Sequence, residues 1–340
     1  MTLPVGKKRL LSLIPELSGR RIAVAGDFVL DRFIFGHPKR VSREAPVLIL
    51  SFSREDSCPG GAGNTVANIR SLGGVPLPVG AVGDDPEGRV LRGILEARGI
   101  DVSGLATVPS YATPVKTRIL GGGPHAIKQQ IVRYDREDML PPDGAWRGAL
   151  DRGLAAAAAG AAGAILSDYG YGASSPSAIR TLRMALPPKA PILVDSRHRT
   201  SEYAGVDAAT PNEEELEEVA GGPVGDSEEK LAAAGAALKA RLGCKSLLVT
   251  RGSRGMALFD GAGAPTLIPV HGTDQVADVT GAGDTVLAAF ALALCAGASP
   301  LEAALLANFA GGVVVMKMGT ATVTPDELAL AVTSDRVLSA

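Results

Sequence analysis

The stretch Asp278-Val279-Thr280-Gly281-Ala282-Gly283-Asp284-Thr285 sets small residues and carboxylates directly before a long apolar run, Val286 to Cys295. That run holds no proline or charge, and Gly297 follows as a stop, so a helix starting near Gly281 is predicted. The first N–H groups of a helix lack partners within it, and its dipole is positive at that end. Glycines let an anion approach the backbone closely, so the natural guest is a phosphate or a developing phosphoryl charge. Asp284 then has two readings. A carboxylate in the first turn stabilises a helix. Beside an anion cradle it repels the guest, unless it takes a proton from an attacking hydroxyl. Local physics leaves these two readings level.

Other polar residues stand at the ends of short apolar runs. Ile22 to Ala25 ends at Gly26-Asp27, Ala164 to Leu166 at Ser167-Asp168, and Ile192 to Val194 at Asp195. Ala208-Ala209 leads to Thr210-Pro211-Asn212, and Leu247 to Val249 ends at Thr250-Arg251-Gly252. Runs of this length without alternation suit strands buried on both faces of a parallel sheet. Helical stretches alternate with them at Ser175 to Ala185, Glu213 to Ala220 and Ser227 to Leu242, which predicts a doubly wound α/β domain. Ligands bind past the carboxyl ends of such strands. Asp27, Asp168, Asp195, Asn212 and Arg251 would gather there. Each alone reads more readily as a cap or turn residue; five in register form a candidate site.

Two segments break the rhythm. Val47 to Phe52 is strand-like, and Val115 to Leu120 alternates, with Lys116 and Arg118 on one face. The turn Gly121 to Pro124 and a returning strand from Ile127 to Tyr134 complete a small inserted antiparallel sheet. The two cations could hold an anionic substrate group or form a solvated face. A second glycine cluster, Gly60-Gly61-Ala62-Gly63-Asn64, reads as a tight turn before a helix from Thr65 to Leu72. It fits neither a P-loop nor a dinucleotide fingerprint.

Composition excludes several classes. A net charge of −2 and 4% aromatics argue against nucleic acid or an acidic membrane surface as partner. Cys58, Cys244 and Cys295 are odd in number and far apart, as reduced thiols in a cytoplasmic protein would be. The histidines show no metal-ligand spacing. The N-terminus is no convincing signal peptide, and Ala155 to Leu166 is too short to span a bilayer.

Taken together, Gly60 to Asn64, Asp278 to Thr285 and the Asn-x-x-Glu of Asn212 to Glu215 resemble the ribokinase-like (PfkB) carbohydrate kinases over about residues 22 to 328. The closest likeness is to the branch acting on D-glycero-β-D-manno-heptose 7-phosphate, a step toward the ADP-heptose of lipopolysaccharide. It rests on Gly26 to Arg32, Ser42 to Val47, Gln129 to Asp135, Leu166 to Tyr169 and Gly319 to Val323. Tyr171 stands where that branch has lysine, and Ser196-Arg197 where it has Pro-Lys. No His-x-Gly-His motif marks a nucleotidyltransferase.

The resemblance implies one ribokinase-like domain over residues 1–340, a doubly wound, mostly parallel sheet with a small antiparallel β lid from about 33–53 and 112–135. Asp284 would be the general base, and the N–H groups of Gly281, Ala282 and Gly283 the anion hole. Asp27, Asp31, Gly60, Gly61 and Asn64 would hold the sugar. Lys116, Arg118 and Arg133 would hold a 7-phosphate. Asn212 and Glu215 would organise Mg²⁺ largely through water. Thr250, Arg251, Gly252 and Asn308 would line the ATP site. A monovalent cation near Asp278 or Thr280 and a homodimer formed through the lids complete the expectation. A kinase for another sugar or sugar phosphate is the first alternative, and a non-catalytic sugar or nucleotide sensor the remote one.

Overall fold

The apolar runs that end in polar residues lie side by side in one sheet. The computed structural model describes residues 4–123, 128–141, 143–272 and 277–335. The chain opens with α1 (Lys7–Leu13), β1 (Arg21–Gly26), β2 (Phe28–Val41), β3 (Leu48–Gly61) and α2 (Ala62–Ser71). It continues through β4 (Val75–Gly83), α3 (Pro86–Ala97), β5 (Leu105–Val108), β6 (Val115–Gly121) and β7 (Gln129–Arg136). Then come α4 (Ala145–Ala159), β8 (Gly163–Asp168), α5 (Ala178–Ala185), β9 (Ile192–Ser196), β10 (Ala208–Ala209), α6 (Glu213–Ala220) and α7 (Glu228–Leu242). The last elements are β11 (Ser246–Thr250), β12 (Met256–Phe259), β13 (Thr266–Ile268), α8 (Ala282–Cys295), α9 (Pro300–Val314) and α10 (Pro325–Ser334).

The large sheet has the order β13-β12-β11-β10-β9-β8-β1-β4-β5. It is parallel from β11 to β5, with β12 and β13 antiparallel at one edge. Its strands are apolar on both faces, so helices must cover both. Ile22, Val24, Ile165 and Leu248 pack with α2, α8 and α9 on one side. Ala23, Ala25, Leu166 and Val249 pack with α4, α5 and α7 on the other. Helix α8 is buried from Asp284 through Ala293, an apolar surround that fixes its direction.

The small sheet has the order β3-β2-β6-β7. Its outer pairs are antiparallel and the central pair, β2 with β6, is parallel. Strand β2 starts inside the core at Phe28 and runs outward until His37 to Val41 are exposed. The tight turn read from the glycine cluster is made at Gly61 alone, and the helix after it starts at Ala62 rather than Thr65. Gly60 and Gly61 pair with Val29 and Phe28 as the last residues of β3. Gly61, at φ 57°, then turns the chain into α2 within one residue. A Cβ there would lie 2.6 Å from the Asp27 carbonyl oxygen, so only glycine makes this turn without strain. The parts of the predicted turn and returning strand at residues 124–127 lie outside the described residues.

Candidate active site

Gly281, at φ 77° and ψ 8°, begins α8 in the left-handed conformation. The Ala282 N–H donates to the Val279 carbonyl at 3.2 Å. Among the described residues, the N–H groups of Gly281, Gly283 and Asp284 meet no acceptor. Of the predicted anion hole, Gly281 and Gly283 are thus open, Ala282 is engaged, and Asp284 adds a donor.

Two cavities meet at this helix start. One, of about 220 Å³, is mainly apolar and includes Thr250, Gly252, Met256, Ala282, Gly283 and Asn308. The other, of about 590 Å³, is polar and includes Tyr169, Asp195, Arg197, Glu215, Gly281 and Gly283. Gly283 borders both, and a Cβ there would meet nothing within 4 Å. An apolar ring would find matching surroundings in the first cavity; the second, lined by Asp168, Asp195, Glu214, Glu215 and Glu218 with Arg197 and His198, would take a polyanionic tail only with a cation between them.

The Asp284 carboxylate is 3% exposed. It accepts from Asn64 Nδ2 at 3.0 Å, the Tyr169 hydroxyl at 2.9 Å and the Thr65 hydroxyl at 3.4 Å. Burial pushes its pKa up to about 6; the Asn64 and Tyr169 hydrogen bonds oppose this, Asp31 adds to it and Lys116 opposes it. Any reaction using this group as a base needs it ionised, so kcat/KM should fall about tenfold per pH unit below about pH 6. A pH–rate profile checks this; a flat profile down to pH 4.5 would exclude Asp284 as the base.

The other sequence candidates divide. The Asp27 carboxylate, expected on the sugar, instead accepts the N–H groups of Tyr169, Tyr171 and Ala173 at 2.8, 3.1 and 2.8 Å. It is 1% exposed and shapes the loop after β8. Asp31 is bound by Arg118 at 2.6 Å and by the Thr320 hydroxyl at 3.1 Å. Gly60 lies against it, since a Cβ there would be 2.4 Å from Asp31 Oδ2. Asn64 joins both halves of the site by donating to the Gly281 carbonyl at 3.1 Å as well as to Asp284.

The expected cation cluster is mostly paired. Arg118 belongs to Asp31, and Arg133 bonds Asp135 at 3.0 Å. Lys116 has no hydrogen-bonding or ion-pair partner among the described residues, is 7% exposed and sits 5.0 Å over the Tyr169 ring. Burial and then Arg197 hold its pKa below the usual lysine range. Arg197 keeps a cation in the polar cavity where lysine was expected. Tyr171 is buried, its hydroxyl donating to Glu137 at 2.6 Å.

Asn212 and Glu215 form a capping box at the start of α6 and border the polar cavity. Burial pushes Glu215 up to about 7. Burial, Glu215 and Asp284 hold Asp195 well above the usual carboxylate range. So many hard oxygen donors around one cavity fit a divalent cation such as Mg²⁺. No three His, Cys, Asp or Glu side chains converge as ligands among the described residues, so such an ion would keep most of its water. Thr250, Gly252 and Asn308 come together in the apolar cavity, and Asn308 donates to the Pro269 carbonyl at 2.9 Å. Arg251 does not join them: its guanidinium pairs with Glu213 at 3.0 Å. The Asp278 carboxylate accepts the N–H groups of Thr280 and Gly319 at 2.9 and 3.1 Å.

Sequence reasoning missed Tyr169, Thr65 and Thr320. Tyr169 directly follows a strand's carboxyl end, a signal that was available. Thr320 lay within the Gly319 to Val323 stretch that carries the resemblance, whereas Thr65 gave no signal, because threonine in a helix is unremarkable without its neighbours.

The chain matches the pfkB family carbohydrate kinase model over residues 39–327. It is 41% identical over 327 residues to the Mesorhizobium japonicum protein named bifunctional protein HldE, covering 96% of this chain and 64% of that one. A Caulobacter vibrioides protein of the same name is 40% identical over 314 residues, covering 92% and 63%. The chain thus spans somewhat under two thirds of these relatives' length. In fold it is similar to Arabidopsis thaliana ribokinase complexed with ribose and ATP, at TM-score 0.71 and 21% identity, covering 93% of this chain and all of that one. Escherichia coli phosphofructokinase-2 in complex with potassium aligns at TM-score 0.74 and 19% identity, covering 93% and 98%.

Proposed function

We propose, from the premise that this chain belongs to the pfkB family of carbohydrate kinases, that it transfers the γ-phosphoryl group of ATP to O1 of D-glycero-β-D-manno-heptose 7-phosphate. The observation that carries the reading is the junction at Gly283, where an apolar and a polar cavity meet beside a buried carboxylate and unpaired N–H groups. Adenine takes the apolar cavity near Asn308, and the phosphates reach past Gly283. The acceptor hydroxyl stands against Asp284, which takes its proton as the new O–P bond forms. The bond to the β–γ bridging oxygen breaks, and ADP leaves. The N–H groups of Gly281, Gly283 and Asp284 donate to the phosphoryl oxygens, where charge placed in advance supports phosphoryl transfer. Bound Mg²⁺, held through water by Asn212 and Glu215, would neutralise phosphate charge.

The small sheet acts as a lid over the sugar and excludes water. Its exposed Phe52, Ile131, Val132 and Tyr134 support a homodimer through that face. A monovalent cation beside Asp278 and Thr280 belongs to the same reading, as does a cytoplasmic location; no helix among the described residues is long and apolar enough to cross a membrane. The similarity to the HldE proteins supports the heptose acceptor. A coupled ADP-release assay over neutral sugars and sugar phosphates tests it. The heptose 7-phosphate should give the highest kcat/KM, and preference for a neutral sugar would overturn the acceptor.

One observation favours a neutral sugar as the different acceptor: Arg118 and Arg133 are already paired, leaving Lys116 as the available member of the predicted cluster. Replacing Lys116 with alanine separates the two readings. On the heptose phosphate reading KM for the phosphorylated acceptor rises roughly tenfold or more, since a charge-assisted contact is lost. A neutral sugar should be much less affected. Equal effects on both would favour the alternative.

A further inference from the structure

We infer that Tyr169 is a positioning residue for the base: its hydroxyl holds Oδ1 of Asp284 and keeps that carboxylate aimed and ready to accept a proton. The inference rests on the reading of Asp284 given above. Three elements converge on this one side chain, and a fourth contact fixes its backbone. Its backbone N–H is fixed by Asp27 at the junction of β1 and β2, at 2.8 Å. Lys116 of β6 stands 5.0 Å over its ring. Gly61, the last residue of β3, lies beside the ring, where a Cβ would be 3.4 Å from Cδ2. Its hydroxyl reaches Asp284 of α8 at 2.9 Å.

Space-filling does not account for this arrangement. Phenylalanine would fill the same volume without burying a hydroxyl, and a buried hydroxyl is costly unless it is bonded. The hydroxyl is a lasting donor, because burial and the Asp284 charge hold its pKa well above the usual tyrosine value. The charged groups facing Asp284 are Lys116 from β6, Asp31 from β2 and Asp195 from β9; Asn64 and Thr65 of α2 face it as neutral donors. Without the tyrosine hydroxyl, burial acts on the carboxylate with one donor fewer. More of the protein would then carry Asp284 protonated at neutral pH. The same geometry gives Asp27 an indirect part: it holds the loop that carries Tyr169.

The test reads Asp284 itself and needs no acceptor. Nucleotide-free protein labelled with carbon-13 in its aspartate carboxyl groups is titrated by NMR, with the Asp284 resonance assigned by its loss in Asp284→Asn. The wild-type midpoint should lie near pH 6. In Tyr169→Phe it should rise by about one pH unit, a tenfold loss of the ionised form below the midpoint. The acid limb of kcat/KM should move with it, while the KM for ATP stays put. Incorporating 3-fluorotyrosine at position 169 keeps the side chain and strengthens the donor, so the midpoint should fall; this variant carries the test even where Tyr169→Phe does not fold. A midpoint unmoved by either replacement overturns the inference. A fully active Asp284→Asn would instead overturn the base reading beneath it.

Discussion

Replacing Asp284 with asparagine should lower kcat by roughly two to four orders of magnitude while nucleotide affinity is retained, as expected when a general base is removed. The substitution keeps the shape of the side chain and removes its ability to take a proton. It should also change the pH dependence of stability. With a folded pKa near 6 against an ordinary 3.8, the folded state holds the proton more tightly than the unfolded chain. The contribution of this group to stability is complete below the unfolded value and is lost as pH rises through the folded value. By linkage the loss is about 2.5 kcal/mol between pH 4 and pH 8, which the asparagine variant should not show. Denaturant unfolding at both pH values, with steady-state kinetics and nucleotide calorimetry, measures all three quantities. Equal turnover in variant and wild type would remove Asp284 from the mechanism.

Replacing Gly281 with alanine should be nearly as damaging by another route. Its φ of 77° is unfavourable for any residue with a Cβ, at a cost of roughly 1–2 kcal/mol. The new methyl would also meet Asn64 Nδ2 at 2.4 Å and Thr320 Cγ2 at 2.9 Å. Asn64 must then move, and with it go its bonds to the Gly281 carbonyl and to Asp284. A total loss of about 2–4 kcal/mol is expected, with kcat at least about tenfold lower because the base and the open N–H groups lose their alignment. The matched control is Gly283→Ala, where the Cβ meets nothing within 4 Å and helical geometry is ordinary. It should fold like the wild type and chiefly impair nucleotide phosphate binding. If Gly281→Ala kept wild-type stability and turnover, the close packing of Asn64 against this turn would not matter to the protein.

Local sequence predicted features governed by local physics. The start of α8 at Gly281, the cap or turn role of Asn212, and the polar ends of β1, β8 and β9 follow from neighbouring residue types, and each is found where expected. The partners of charged side chains were not legible, because they are settled by which strands lie together. Arg118 is drawn to Asp31 because β6 runs parallel beside β2, a pairing no local pattern announces. Arg251 pairs with Glu213 because β11 ends beside the start of α6. Asp27 was read as a ligand group from its place at a strand end. The same place exposes it to the N–H groups of the loop after the neighbouring strand β8, and they take it.

The helix that begins at Gly281 is enclosed by protein for nearly its whole length, whereas β2, β3 and β7 carry exposed stretches. Innovation is therefore cheaper on one side than on the other. On the lid reading proposed above, exchanging tips of the outer ribbon should retarget the enzyme to new acceptors with little disturbance to the buried core, while most changes along the enclosed helix threaten the whole molecule. A directed-evolution library would best leave residues 281–293 untouched and draw its diversity from the ribbon.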